Sequence, residues 1–232
     1  MGLTEHGDYL WKLTRFGVIN CYLVEEDDGL TVIDTGLPGS APRILRAAMQ
    51  IGRPIRRITV THAHGDHVAS LDALVELVPD AAVFASVRTV SFLAGDTMLL
   101  PDEPQTPIKG GLQETKTVPD VVVSGDRIGS LVVMKTPGHS PDHISFYDGR
   151  DGSAIVGDAF QTQGGLTVAG VVNWRFPLPG WATWHLPSAV QSAKVIQAKN
   201  PSRLATGHGR VLENPAVKLA AAIALAEEKS GL

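Results

Sequence analysis

Within Thr61-His62-Ala63-His64-Gly65-Asp66-His67, three imidazoles and one carboxylate fall in six consecutive positions behind an apolar run. Neutral imidazole nitrogen and carboxylate oxygen are the donors that suit zinc, iron, manganese or nickel. Gathering four of them without a cation costs desolvation that nothing offsets. His62 and His64, two apart in an extended segment, point to the same side and can chelate one ion together. Gly65 lets the backbone turn, which aims Asp66 and His67 at a neighbouring position. The pattern differs from the helical His-Glu-x-x-His arrangement and reads as a loop that can feed two metals.

Three more residues join this group. His139 lies in Thr136-Pro137-Gly138-His139-Ser140, Asp158 follows Ala154-Ile155-Val156-Gly157, and His208 sits between Gly207 and Gly209. Each comes at the end of an expected strand, beside glycines that let a loop approach a metal closely.

The elements that must position them are legible in outline. Residues 9–13, 18–25 and 30–34 read as strands, with Asp27-Asp28-Gly29 as a hairpin link. Ser40 and Pro42 open a helix carrying Ile44, Leu45, Ala48 and Met49 on one face. Ile55 to Val60 form the strand that delivers the histidine loop. Leu71, Leu74, Val75 and Val78 then recur at helical spacing, and Pro79 stops them. The loop therefore lies in a strand-to-helix crossover at the carboxyl end of a strand, where α/β folds place their sites. Ala82 to Ala85 reads as a strand and 86–94 as a helix.

The segment 95–119 is rich in proline and glycine and long enough to read as a lid or a surface excursion. Residues 121–123, 126–128 and 131–136 have the alternation of one meander. Strands follow at 143–148 and 153–156 around Gly149-Arg150-Asp151-Gly152. After an irregular stretch a helix begins at Ser188, 204–206 is a short strand, and Asn214 as cap with Pro215 in the first turn open the last helix. Each half ends in a helix, a short strand and a histidine loop leading into a helix. The expected fold is α/β, a four-layer αββα sandwich of two facing β/α halves within a single domain, 1–232.

With its motifs in this order, the chain resembles the metallo-β-lactamase superfamily over nearly its whole length: His62-x-His64-x-Asp66-His67, then His139, Asp158 and His208. Asp34-Thr35-Gly36 is similar to the turn that family places beside its site. The resemblance implies a first metal on His62, His64 and His139, a second on Asp66, His67 and His208, and Asp158 between them. It implies that Asp34 orients a ligand histidine. The implied cofactors are two divalent ions, zinc above all, with iron or manganese compatible with the same donors. The implied activity is hydrolysis of an ester, thioester or lactone by a metal-bridging hydroxide, with Asp66 as the catalytic residue that orients the nucleophile. The alternative within the same resemblance is a mononuclear iron enzyme like the persulfide dioxygenases, on His62, His139 and Asp158.

Asp158 argues against a true β-lactamase, and His64 against a flavodiiron protein. Glyoxalase II enzymes match at the donors but append a helical domain with basic glutathione contacts, for which one C-terminal helix leaves no support. Acyl-homoserine lactonases match in size, yet no tyrosine stands between Asp158 and His208. That interval instead holds Trp174, Arg175, Phe176, Trp181, Trp184 and His185, read as walls of an apolar substrate pocket with Arg175 or His185 available for a polar group. His143 reads as a core residue or one that supports a ligand, and His6 as exposed.

Composition narrows the partners. A chain of 232 residues with 44% hydrophobic content can bury an extensive core, and a net charge of −4 does not suggest nucleic acid. Cys21 is the only cysteine, so an intrachain disulfide and a thiolate zinc knuckle are both excluded; it reads as a small buried hydrophobe. No signal peptide and no apolar run of membrane-spanning length is evident. The expectation is a cytoplasmic enzyme acting on a small molecule, with no nucleic-acid or membrane partner, in a state that admits a homodimer.

Overall fold

Side chains alternate along the central strands between two different apolar layers, and that alternation builds the core. The structure is a computed structural model and describes residues 2–231. The first sheet contains β1 (Gly2–His6), β2 (Leu10–Arg15), β3 (Ile19–Glu26), β4 (Gly29–Ile33), β5 (Ile55–Thr59), β6 (Ala82–Ser86) and β7 (Asp120–Val122), side by side in that order. Its first four strands pair antiparallel and its last four parallel. The second sheet is built from β8 (Arg127–Ile128), β9 (Leu131–Lys135), β10 (Ile144–Asp148) and β11 (Ser153–Ile155). A two-stranded ribbon, β12 (Phe160–Gln161) and β13 (Thr167–Val168), interrupts it in the chain. Then β14 (Arg203–Ala205) and β15 (Leu212–Glu213) complete the order β15-β14-β11-β10-β9-β8.

On β3, Cys21 and Leu23 face helices α1 (Ala41–Ile51), α3 (Leu71–Leu77) and α4 (Val87–Leu93), whereas Tyr22 and Val24 face the second sheet. On β11 and β14, Ala154 and Leu204 pack under α6 (Leu186–Ala198) and α7 (Ala216–Ser230), whereas Ile155 and Ala205 face the first sheet. Sheets covered on both sides need apolar residues at both parities, which is why these strands are almost continuously hydrophobic. The result is the expected αββα layering. Two short helices, α2 (Gly65–Val68) and α5 (Leu178–Trp181), stand at one edge. Among the described residues, no helix is long and apolar enough to cross a membrane.

Several expectations are corrected. The apparent meander is divided: β7 closes the first sheet and β8 opens the second, because periodicity reports a buried face but not which sheet owns it. Gly2–His6 is an added edge strand, and Leu212–Glu213 another. The helix expected at Ser188 begins at Leu186, with the ring of His185 accepting the Ser188 amide as its cap. The last helix begins at Ala216, and Pro215 rather than Asn214 is its cap residue.

Candidate metal centre

The carboxyl ends of β4, β5, β9, β11 and β14 meet along one edge of the sandwich, and each contributes to a single buried cluster. Residues 61–64 continue β5, with Asp66 and His67 on α2. His139 follows β9, Asp158 lies in a single 3-10 turn after β11, and His208 follows β14. Three groupings emerge with donor atoms within 4.8 Å of one another: His62, His64 and His139; His62, His67 and Asp158; and Asp66, His67 and His208.

The first grouping is decided by its protons. The Thr61 hydroxyl donates to Asp34 at 2.9 Å, so it must accept from His62 Nδ1–H, 3.0 Å away. The Thr183 hydroxyl donates to the Pro179 carbonyl at 2.7 Å, so it accepts from His139 Nδ1–H at 3.2 Å. His64 Nε2–H donates to the Lys109 carbonyl at 3.0 Å. Every ring proton is therefore turned outward. His62 Nε2 and His139 Nε2 each lie 3.0 Å from His64 Nδ1, with three lone pairs and no proton among them. Burial, with the neighbouring imidazoles, pushes His62 well below the ordinary histidine range. Burial also lowers His139, against the pull of Asp158, so both rings are neutral donors. Three converging lone pairs repel unless a cation sits between them, and outward hydrogen bonds of this kind are what orient metal-binding histidines.

The second grouping is richer in carboxylate. Asp158 Oδ1 lies 3.4 Å from His67 Nε2, and Oδ2 lies 3.1 Å from His208 Nε2 and 3.5 Å from His139 Nε2. Asp158 thus touches both sets of imidazoles. Asp66 Oδ2 is 3.4 Å from His208 Nε2 and 3.8 Å from His67 Nε2. Asp34 holds a left-handed backbone at φ 62°, and its carboxylate accepts His67 Nδ1–H at 2.7 Å and the Thr61 amide at 2.7 Å. His208 Nδ1–H donates to the Val18 carbonyl at 2.9 Å. Burial opposes charge throughout, yet the carboxylates outweigh it: Asp158 and Asp66 push His208 up to about 10, and Asp158, Asp34 and Asp66 raise His67. The same imidazoles hold Asp66 and Asp158 well below the usual carboxylate range.

Among the described residues, buried His67 Nε2 and Asp158 Oδ1 have no hydrogen-bond partner. Such orphaned atoms are rare inside a folded chain. They are satisfied together by a cation, so the donor set fits two divalent ions.

Further groups hold this arrangement from behind; of these, sequence reading singled out His143 but not Asp142 or the Lys109 and Val18 carbonyls. His143 Nε2 accepts the Asp158 amide at 3.1 Å while its other nitrogen faces Thr136; burial drives its pKa down to about 3, so the acceptor lone pair persists. Asp142 accepts the Ala63 amide at 2.8 Å and the Thr89 hydroxyl at 2.9 Å, holding the histidine loop from beneath. An acid in the turn just before an apolar strand was the available signal for Asp142. The carbonyls of Lys109 and Val18 leave none.

A cavity of about 440 Å³ opens over the cluster. Of the expected pocket residues, Trp181 lines it, as does Phe176, whereas Trp174, Arg175, Trp184 and His185 do not. Trp184 is buried and donates to the Thr106 carbonyl at 2.9 Å, and His185 is occupied in capping α6. Trp174 stands outside, edge-on to Trp181 at 6.3 Å. The segment 95–119 is fastened to the histidine loop. The Gly65 amide donates to the Gly111 carbonyl at 3.0 Å and the Gln113 amide to the Ala63 carbonyl at 2.9 Å. His6 is half-buried and faces Thr4.

Comparison with known proteins agrees with this geometry. The sequence profile described as Metallo-beta-lactamase superfamily matches residues 14–208. The uncharacterized protein YobT of Bacillus subtilis is 47% identical over 98% of this chain and 100% of its own length. The Bacillus subtilis protein named probable metallo-hydrolase YybB is 29% identical over 82% of this chain and 80% of its own. The solved structure of TTHA1623 in a di-iron-bound form superposes with a TM-score of 0.63 at 26% identity, covering 88% of this chain and 94% of that one.

Proposed function

Since the chain belongs to the metallo-β-lactamase superfamily, we propose that it is a binuclear metal-dependent hydrolase, loaded with zinc, that cleaves an ester, thioester or lactone bond in a small molecule. The observation that carries this reading is the set of three imidazole lone pairs turned toward one point, beside a second donor set that shares Asp158. In this reading His62, His64 and His139 hold one ion, Asp66, His67 and His208 hold the other, and Asp158 belongs to both. When bound, two divalent cations polarise a carbonyl oxygen and make water nucleophilic at neutral pH.

The chain's own residues supply the rest. Asp66 is the most exposed of the seven donors and lines the cavity. Its carboxylate, kept ionised by the imidazoles beside it, accepts a hydrogen bond from the attacking water and so orients that water toward the substrate. Thr61, Thr183 and the Lys109 carbonyl keep the three imidazoles in the tautomer that donates inward. The apolar wall around Phe176 and Trp181 limits bulk water and so strengthens the charged interactions within.

Two donor sets sharing one carboxylate favour this reading over a mononuclear iron oxidoreductase. The test measures bound metals and then assays esters, thioesters, lactones, phosphoesters and β-lactams on the same preparation. Two zinc ions per chain with oxygen-independent acyl hydrolysis are expected. A single iron with oxygen consumption overturns the proposal, and so does turnover confined to phosphoesters or β-lactams.

A further inference from the structure

Beyond the donors, the wall of the cavity is apolar. Val18, Ile19, Phe176, Leu178 and Trp181 form much of it, and among the described residues no lysine or arginine lines it. A substrate that carried a carboxylate or phosphate away from its reacting group would find no fixed cation to hold it there. The wall also does not stop at the rim. Leu178 is 61% exposed and Trp181 54%, although both line the cavity. Beyond them Trp174, 80% exposed, stands against Trp181 and extends the same surface outward. Large apolar side chains grouped at the mouth of a site mark a binding surface more often than scattered exposed ones do.

We propose that this site selects a neutral acyl compound whose chain leaves the cavity past Leu178 and Trp181 and lies along Trp174. The inference rests on the hydrolase reading above and adds the class of group that the site accepts. In the reaction, water adds its oxygen to the acyl carbon, the bond from that carbon to the leaving oxygen or sulfur breaks, and one water proton passes to the leaving atom.

The experiment uses metal-loaded protein and nitrophenyl esters from acetyl to decanoyl. The expected result is a kcat/KM that rises about twofold to fourfold per added methylene. Leu178→Ser and Trp181→Ala flatten that rise, whereas Val217→Ser, on the outer helix, leaves it in place. A flat dependence in the wild type, or an unchanged slope in both rim variants, overturns the proposal. If no acyl compound is turned over, the hydrolase reading fails, and a second measurement judges the rim. Unreactive methyl ketones of the same chain lengths are titrated while tryptophan fluorescence is followed. Affinity that grows with length in the wild type but not in Leu178→Ser supports the ledge, and equal affinity across the series refutes it. Loss of self-association in the rim variants with the chain-length slope intact assigns the ledge to a second copy of the chain and overturns the proposal.

Discussion

Gly110→Ala isolates the contribution of the 95–119 segment to the metal centre. Gly110 has φ +83°, and a Cβ built there would lie 2.5 Å from His64 Cε1, 2.9 Å from Cδ2 and closest to Nε2. The obstacle is a rigid ring confined on its other side by the rings of His62 and His139, so the ring or the segment must move by roughly 1 Å to reach ordinary contact distances of about 3.5 Å. A left-handed alanine itself costs about 1–2 kcal/mol. Movement of the ring also breaks the 3.0 Å bond from His64 Nε2 to the Lys109 carbonyl, which fixes its tautomer. Loss of such a support lowers metal affinity about 10-fold to 100-fold, equivalent to about 1.4–2.7 kcal/mol. The assay is a zinc titration of metal-free protein against a chromophoric chelator, with thermal unfolding in chelator run alongside to separate folding from binding. Lys109→Ala is the control: its exposed side chain is removed while the carbonyl stays, and affinity is expected to hold. A Gly110→Ala protein that folds and binds both ions within twofold of wild type refutes the positioning argument.

Other variants probe the remaining layers. Asp158→Ala is expected to weaken both ions, because that carboxylate touches both imidazole sets, whereas His208→Ala loses the second and keeps the first; equal stoichiometry in the two proteins contradicts the division of donors. Phe146 is fully buried between the sheets, and Phe146→Ala should cost about 3–5 kcal/mol in urea unfolding. A loss below about 1 kcal/mol would mean that the inter-sheet layer is not the core described. Burial, with help from Asp34, pushes the Cys21 thiol up, so almost none of it is thiolate near pH 8. Native protein should therefore resist a disulfide reagent that labels the urea-unfolded chain at once, and rapid native labelling would place Cys21 outside the core.

The seven candidate donors, which the fold brings together, could be singled out because metal chemistry admits few donor types, and because each sits near a strand end beside residues that permit a sharp turn. Gly207 shows why such flanks are required: a Cβ there would come within 2.7 Å of His67 Cε1, and nearer still to Asp158 Oδ1. The layering was legible too, since strands such as Ile19–Glu26 are hydrophobic at both parities. The aromatic pocket was not. Trp181 and Trp184 are chemically alike and three residues apart, but the single turn of α5 carries one onto the cavity wall, while the Thr106 carbonyl draws the other inward.

From the sequence alone followed which side chains could bind a metal and the layers that would carry them. Only the tertiary structure decided which nitrogen of each ring holds the proton. That choice rests on partners far along the chain: Lys109 for His64, Thr183 for His139, Val18 for His208. Two of those three act through backbone carbonyls, which every residue possesses, so side-chain identity could not have revealed them.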